Sequence, residues 1–218
     1  MGTHVPPIPR PPILNAGELT VADQIAQIQS YIEAFEYNYT GKPFVPMKKS
    51  RGMEHIRSVS RQLMQVSLPI QCVEAVFLGT YLTAGMELER VPLSFKTKFL
   101  RGTVHQHIVL ALRHNGKWGA MGISRRSNLM KKDMMFATLA DLVEDFRIEY
   151  EVCFHKLLTV YIGLPLPHNV MANEAIKWRA VKVRVFARDA VDVASRIDNF
   201  EATMATLNEH FQSGTLPG

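Results

Sequence analysis

Apolar residues recur every three to four positions in several stretches of the chain, a spacing that predicts amphipathic helices. The first of these has Thr20 as a candidate N-cap. The third begins at Cys72, shortly after Pro69, which disfavours helix in the residue before it. The predicted helices cover residues 20–37, 53–66, 72–84 and 138–157, with a last one that starts at 189 or 192 and runs to 211.

Alternating apolar and polar residues predict strands in the second half of the chain. The Asn115-Gly116 pair predicts a tight turn that joins two of these strands as a hairpin. Helices come first and then mix with strands, which predicts an α+β fold with a mainly antiparallel sheet. The predicted strands cover residues 92–99, 107–112, 118–124, 156–162 and 177–188.

The chain is expected to contain three regions. Residues 1–17 are rich in proline, which fits neither helix nor central strand, and form an extended arm. Residues 18–67 form a helical N-terminal subdomain, and residues 68–218 form the α+β core. No shift in composition separates the last two regions, so one continuous domain is the alternative.

Composition limits the class of protein. The chain has 218 residues, of which 47% are hydrophobic and 21% charged, and this suits a compact fold with a substantial core. Only two cysteines occur, Cys72 and Cys153, which disfavours a disulfide framework and a zinc site and favours a reducing compartment. We expect no metal ion and no cofactor. No apolar run approaches the roughly 18 residues of a membrane span, and the N-terminus does not resemble a signal peptide.

The net charge of +5 and pI of about 9.3 favour an anionic partner, such as nucleic acid, a membrane surface or an acidic polypeptide. Zinc-finger spacing, a recognition helix and aromatic residues interleaved with basic ones are all missing from the sequence, which disfavours nucleic acid.

Cys72 is the candidate nucleophile. The start of a helix carries partial positive charge and unpaired N–H groups, and both stabilise a thiolate. The alternative is a cysteine that only fills the core, since free cysteines are among the most buried residues.

A cysteine nucleophile needs a base and a third group that orients the base. Among eight histidines, His105 and His107 begin a strand and share one face, and the pattern alone does not choose between them. His107 is favoured because it immediately precedes the buried run. The hairpin places residues 123–125 across from it, so Ser124, or a backbone carbonyl near it, is the candidate third group.

Six motifs stand out, at residues 37–41, 48–51, 68–76, 94–97, 107–110 and 122–126. In this order and spacing they resemble the vasohibins, a family of the transglutaminase-like cysteine protease superfamily. The resemblance covers roughly residues 20–185 and implies a transglutaminase-like, papain-like core. It also implies a tubulin-tyrosine carboxypeptidase, which removes the C-terminal tyrosine of α-tubulin.

The resemblance implies roles for individual residues. Cys72 is the implied nucleophile, His107 the base and Ser124 the third member, while Tyr37 and Arg125 match the substrate end of the groove. Further candidates for binding the substrate are Lys49, Gln71, Lys96 and Arg126.

Two positions depart from the family pattern. Gln71 stands where the family usually has a lysine, and Gln106 where it usually has an arginine. Both changes remove positive charge near the expected tyrosine carboxylate. The implied partners are the acidic tail of α-tubulin, microtubules and a small helical vasohibin-binding protein, and the implied location is the cytoplasm, at the cytoskeleton.

Two other functions remain open at this point. The same thiol chemistry could transfer an acyl group to an amine, as a transglutaminase does. A non-catalytic basic module that binds acidic tails would also explain the charge.

Overall fold

The computed structural model describes residues 7–14, 17–100, 102–185 and 190–213, with backbone alone from 207 onward. Within these ranges the α-helices are α1 Val21–Glu33, α2 Met53–Leu63, α3 Cys72–Leu82, α4 Leu139–Val152 and α5 Ala190–Ser213. The strands are β1 Glu89–Phe99, β2 Val104–His114, β3 Lys117–Met121, β4 Lys132–Phe136, β5 His155–Ile162 and β6 Val181–Arg184. A 3-10 turn covers Ser127–Leu129.

The strands form one sheet in the order β4-β3-β2-β1-β5-β6, and every described pairing is antiparallel. The predicted hairpin joins β2 to β3, with Asn115 at φ 48° and Gly116 at φ 70°, the left-handed values that such a tight turn requires. The predicted α+β class and mainly antiparallel sheet are therefore confirmed. The papain-like core stays a prediction.

The sheet has a different apolar cluster on each face, because alternate residues of β2 point to opposite sides. Ile108 and Leu110 belong to the cluster that α1, α2 and α3 complete. Val109 and Ala111 belong to the cluster that α4 and α5 complete. Thus α3, which carries Cys72, is fixed against the first face. The two N-terminal helices share this cluster, and the division of the chain at residue 67 stays a prediction.

Several predicted elements are shorter in the structure: α1 ends at Glu33, α2 at Leu63 and β3 at Met121, and β6 begins only at Val181. Three other elements also differ from their predictions. The helix expected over 138–157 ends at Val152, because Phe154 adopts a left-handed φ of 61° and β5 starts directly afterwards. Strand β1 begins at Glu89, before Pro92. Strand β4 was not predicted, since it is short, lies at a sheet edge and has no fully buried residue.

Parts of the predicted terminal elements lie outside the described residues. This applies to residues 1–6 and 15–16 of the predicted arm and to residues 186–188 of the last predicted strand. The described part of the arm, residues 7–14, has no regular secondary structure. Among the described residues, no helix combines the length and hydrophobicity needed to cross a membrane.

Arg90 is a fully buried cation that ties three segments together. Its guanidinium donates hydrogen bonds to the carbonyl oxygens of Thr80 at 2.8 Å, Leu166 at 3.2 Å and Pro167 at 2.8 Å. Burial lowers the pKa of Arg90 to about 10. The residue thereby joins β1 to the last turn of α3 and to the segment after β5.

Candidate active site

Cys72 is the first residue of α3 and is half-buried. The preceding residue, Gln71, is the N-cap and has extended backbone angles. Its backbone N–H donates to the buried Glu74 carboxylate at 2.7 Å. This bond fixes the entry of the chain into the helix, so that the cysteine projects from the first turn.

The segment before α3 is held against the segment after α1. Ile70 is fully buried and forms an isolated parallel bridge with Tyr37. The N–H of Ile70 donates to the Glu36 carbonyl at 3.1 Å, and the N–H of Asn38 donates to the Ile70 carbonyl at 2.8 Å. These bonds bring Tyr37 beside the start of the helix that carries Cys72.

The end of β3 leaves room for the imidazole. The last pair of β2 and β3 joins Leu110 to Met121, so β2 continues without this neighbour toward His107. Gly122 then leaves the sheet, because its N–H donates to Gln29 at 3.0 Å and its carbonyl accepts from Gln29 at 2.8 Å. The buried amide of Gln29 replaces the missing strand partner and directs the following residues across the open edge.

His107 lies between the Cys72 sulfur and a backbone carbonyl. Hydrogen bonding and the positive charge of the His107 side chain lower the pKa of the Cys72 thiol. Its Nε2 atom is 2.9 Å from the carbonyl oxygen of Leu129. A carbonyl can only accept, so Nε2 carries a proton and Nδ1 is the ring nitrogen left for the sulfur. The Leu129 carbonyl thus occupies the position of the third group that orients a base.

The surroundings of Cys72 favour its thiolate. Burial alone would raise the pKa of the Cys72 thiol, but four contacts outweigh it: the hydrogen bond from His107, the charge of His107, the N–H of Ile108 and the charge of Lys49. The pKa of the thiol is therefore below its ordinary value. A lowered pKa is what a nucleophilic cysteine needs, since the thiolate is the reactive form.

A pocket of about 310 Å³ opens beside His107. Its lining includes Tyr37, Ser124, Arg125 and Arg126. The Arg125 guanidinium lies 5.5 Å from the centre of the Tyr37 ring, a cation–π distance. The pocket therefore presents positive charge and an aromatic face within reach of the proposed base.

Ser124 lies near the position that the hairpin register predicts. It follows β3 by three residues, and its hydroxyl oxygen accepts from the Arg126 N–H at 3.3 Å. The contact that orients the His107 ring comes from Leu129 instead. A catalytic role for Ser124 stays a prediction.

Two further predicted substrate residues, Lys49 and Lys96, lie outside the lining of this pocket. The Lys49 ammonium is 5.3 Å from the Trp178 ring, and burial and Arg179 lower the pKa of Lys49, while the Cys72 thiolate raises it. Lys96 pairs across β1 and β2 with Gln106, on the face opposite to His107. Lys96 does not line the described pocket.

The sequence pattern left three groups at this site unidentified. Two are backbone atoms: the Ile108 N–H, which was not predicted, and the Leu129 carbonyl, which the sequence indicated only as an unspecified carbonyl near Ser124. The third is Arg179, whose guanidinium donates to Gln106 Oε1 at 3.0 Å. Its only signal in the sequence was the basic alternation after residue 177. Within the described part of the chain, no three residues among His, Cys, Asp and Glu converge as a metal-binding group.

Replacing His107 by alanine is expected to raise the pKa of the Cys72 thiol, because both the hydrogen bond and the positive charge are lost. Below that new pKa the thiolate fraction falls, so alkylation of Cys72 by iodoacetamide at pH 7 should slow by about tenfold or more. Alkylation rates from pH 5 to pH 10 measure this, with the modified residue identified by mass spectrometry. His114→Ala, at the hairpin tip, serves as the matched control. An unchanged pH profile in His107→Ala would contradict the contact.

The sequence of the chain is similar to those of known proteins. Residues 2–205 match the family model described as Vasohibin. The chain is 40% identical over 179 residues to the mouse (Mus musculus) protein named Tubulinyl-Tyr carboxypeptidase 1, a match that covers 81% of this chain and 48% of the relative. The chain thus spans about half the length of that relative. With a match over nearly its whole length, the chain belongs to the vasohibin family.

Proposed function

We propose that this chain is a cysteine carboxypeptidase that removes the C-terminal tyrosine from the acidic tail of α-tubulin. The observation that carries the proposal is Cys72 at the start of α3, where hydrogen bonding and charge from His107 lower the pKa of its thiol. The name of the mouse relative supports the substrate. The basic pI of about 9.3 suits a strongly anionic peptide.

In the first step the Cys72 thiolate attacks the carbonyl carbon of the last peptide bond. The electron pair moves to the carbonyl oxygen, and the backbone N–H groups at the start of α3 face the developing negative charge. The C–N bond then breaks, and protonated His107 gives its proton to the departing amine of tyrosine. The product is an acyl-enzyme on Cys72 and free tyrosine.

In the second step water releases the shortened tail. Neutral His107 accepts a proton from the water as its oxygen attacks the thioester carbon. Breaking the C–S bond returns the thiolate, and the hydrogen bond to the Leu129 carbonyl keeps the His107 ring in the same orientation in both steps. Ser124 is proposed as a further member of the site by its position on the pocket wall.

A carboxypeptidase must also bind a free carboxylate, and we assign this to Arg125. Its guanidinium can hold two carboxylate oxygens at once, and Tyr37 beneath it offers an aromatic face to the tyrosine side chain. Gln71 stands where the family usually has a lysine, and its uncharged amide cannot form an ion pair with the carboxylate. Arg125 therefore contributes more to carboxylate binding in this chain. Lys49 and Arg126 add positive charge around the site.

Replacing Arg125 by alanine should raise the KM for a peptide ending in tyrosine by about ten- to hundredfold, because a charge-assisted bidentate contact is lost. Arg125→Lys keeps the positive charge but cannot contact both carboxylate oxygens in the same way, so its KM should lie between those of the wild type and Arg125→Ala. Initial rates on a peptide with the tubulin-like acidic ending measure this. Equal KM values in all three proteins would contradict the assignment.

The experiment that tests the proposed function compares two peptides. Both are glutamate-rich and end in tyrosine, but one has a free carboxylate and the other an amide. The chain should release tyrosine from the first and leave the second intact. Incorporation of an added amine in place of hydrolysis would favour a transglutaminase-type acyl transfer, and stable binding without release would favour a non-catalytic module.

The partners are proposed with the activity. Microtubules carry the acidic tails, so we place the chain at the cytoskeleton in the cytoplasm. A small helical vasohibin-binding protein is the second proposed partner, and adding it to the peptide assay shows whether it raises the rate. The papain-like arrangement of the core belongs to this same proposal.

A further inference from the structure

Strand β6 has one apolar face and one basic face. Val183 is buried in the cluster that α4 and α5 complete, and Val181 packs against the same cluster. Lys182 and Arg184 alternate with these valines and are exposed. By the two-residue period of a strand, both cations point to the opposite face of the sheet, the face on which α3 carries Cys72.

The register of the sheet continues this basic face toward the active site. Arg184 pairs with Thr159 of β5, which pairs with Lys96 of β1, which pairs with Gln106 of β2. Paired residues of neighbouring strands share a face, so this row crosses four strands on one side of the sheet. Gln106 directly precedes His107, so the row ends one residue from the proposed base, on the opposite face of β2.

Direct contacts join the same strands a second time. Lys182 pairs with Tyr161, and its ammonium is 5.9 Å from the centre of the Tyr161 ring. The Arg179 guanidinium lies 4.5 Å from the same ring and donates to Gln106 at 3.0 Å. Lys49 interacts electrostatically with both Arg179 and the Cys72 thiolate. The contacts of Tyr161 and Arg179 therefore lead from the sheet edge to Gln106, next to the proposed base in the sequence.

Among the described residues, no salt bridge involves Lys96, Arg179, Lys182 or Arg184. The salt bridges described there involve Arg113, Lys132, Arg147 and Arg196. We call Lys96, Arg179, Lys182 and Arg184 the β6 basic face. Arg179, Lys182 and Arg184 are exposed and Lys96 is half-buried. Four like charges so close together raise the local positive potential and favour an anionic ligand.

We propose that the β6 basic face binds the acidic segment of the substrate that precedes the cleaved bond. This inference rests on the proposed function. Arg125 and Tyr37 are assigned to the terminal tyrosine, and the β6 basic face is assigned to the acidic residues before it. The two surfaces meet at Gln106, which lines the carboxylate pocket and accepts the hydrogen bond from Arg179.

The dimensions suit an extended peptide. Strands lie about 4.8 Å apart, so the row from β2 to β6 spans about 14 Å. An extended peptide advances about 3.3 Å per residue, so about four residues cross the row. Alternate side chains of such a peptide face the sheet, which lets carboxylates contact cations on both β1 and β6. Arg179 thereby also restores the positive charge that Gln106 lacks.

The test reverses two charges at the far end of this face. Lys182→Glu/Arg184→Glu is compared with Arg61→Glu/Lys117→Glu, which changes the net charge equally at exposed positions on α2 and at the β2–β3 turn. Each protein cleaves two peptides ending in tyrosine, one with glutamates and one with glutamines before it. We expect the first variant to raise KM for the glutamate peptide by about tenfold, with kcat nearly unchanged. KM for the glutamine peptide should barely change.

The same proteins are also titrated with a fluorescent glutamate peptide that lacks the final tyrosine. This keeps the surface testable if the chain cleaves neither peptide, the result that would refute the proposed function. Weaker binding by the β6 variant alone supports the basic face. An equal loss in both variants, an equal effect on both peptides, or no loss in the β6 variant would overturn it. Circular dichroism spectra that match the wild type establish that the variants fold.

Discussion

Replacing Cys72 by alanine is expected to lower the release of tyrosine by at least about a thousandfold, because no other group can form the acyl-enzyme. Binding of the acidic tail should persist, since the carboxylate pocket and the basic residues stay in place. The loss in unfolding free energy should be small, about 1 kcal/mol, because the side chain is short and only half-buried. Tyrosine release from a peptide and cosedimentation with microtubules measure the two effects separately.

Cys153 offers the matched control for this experiment. It caps the end of α4, where its sulfur lies 3.6 Å from the Asn128 side chain, and it lines no part of the described pocket. Cys153→Ala should retain nearly full activity. Tyrosine release by Cys72→Ala at even a tenth of the wild-type rate would contradict the proposed nucleophile.

Replacing Arg90 by alanine is expected to lower the free energy of unfolding by about 3–5 kcal/mol. The change removes three hydrogen bonds and leaves the carbonyls of Thr80, Leu166 and Pro167 without their donor in a water-poor interior. It also leaves a cavity, because Arg90 is among the largest fully buried side chains. Urea unfolding at pH 7, followed by circular dichroism, measures the loss as a lower midpoint.

Arg61, exposed in the last turn of α2, is the control for Arg90. Arg61→Ala should change the unfolding free energy by no more than about 0.5 kcal/mol. A loss below about 1 kcal/mol in Arg90→Ala would mean that water or a shifted side chain satisfies the three carbonyls, and the role assigned to Arg90 would be wrong.

Local signals in the sequence predicted much of the fold. The N-cap at Thr20 is confirmed, with its hydroxyl accepting from the Asp23 N–H at 3.1 Å, and α3 begins at Cys72 as expected. The Asn115-Gly116 turn set the register of its hairpin correctly, since a two-residue loop leaves little freedom. Caps and tight turns act over a few residues, so their effects can be predicted without the tertiary structure.

The parts that the sequence did not reveal depend on distant contacts. The end of α4 depends on the left-handed Phe154, and the short edge strand β4 depends on its pairing with β3. The same holds at the site, where Arg179 meets Gln106 across 73 positions of the sequence. Periodicity describes which face a residue occupies on its own element, but not which residue of another element it meets.

The Leu129 carbonyl has a consequence for how the sequence around this site can vary. An orienting group made of backbone survives any exchange of the Leu129 side chain that preserves the turn, so alanine scanning will overlook it. Side chains near Leu129 can therefore change during evolution while its carbonyl still orients the His107 ring. The contribution of the Leu129 carbonyl to orienting His107 would be revealed only by a change that moves the main chain, or by chemical synthesis with an ester in place of the Leu129–Met130 peptide bond.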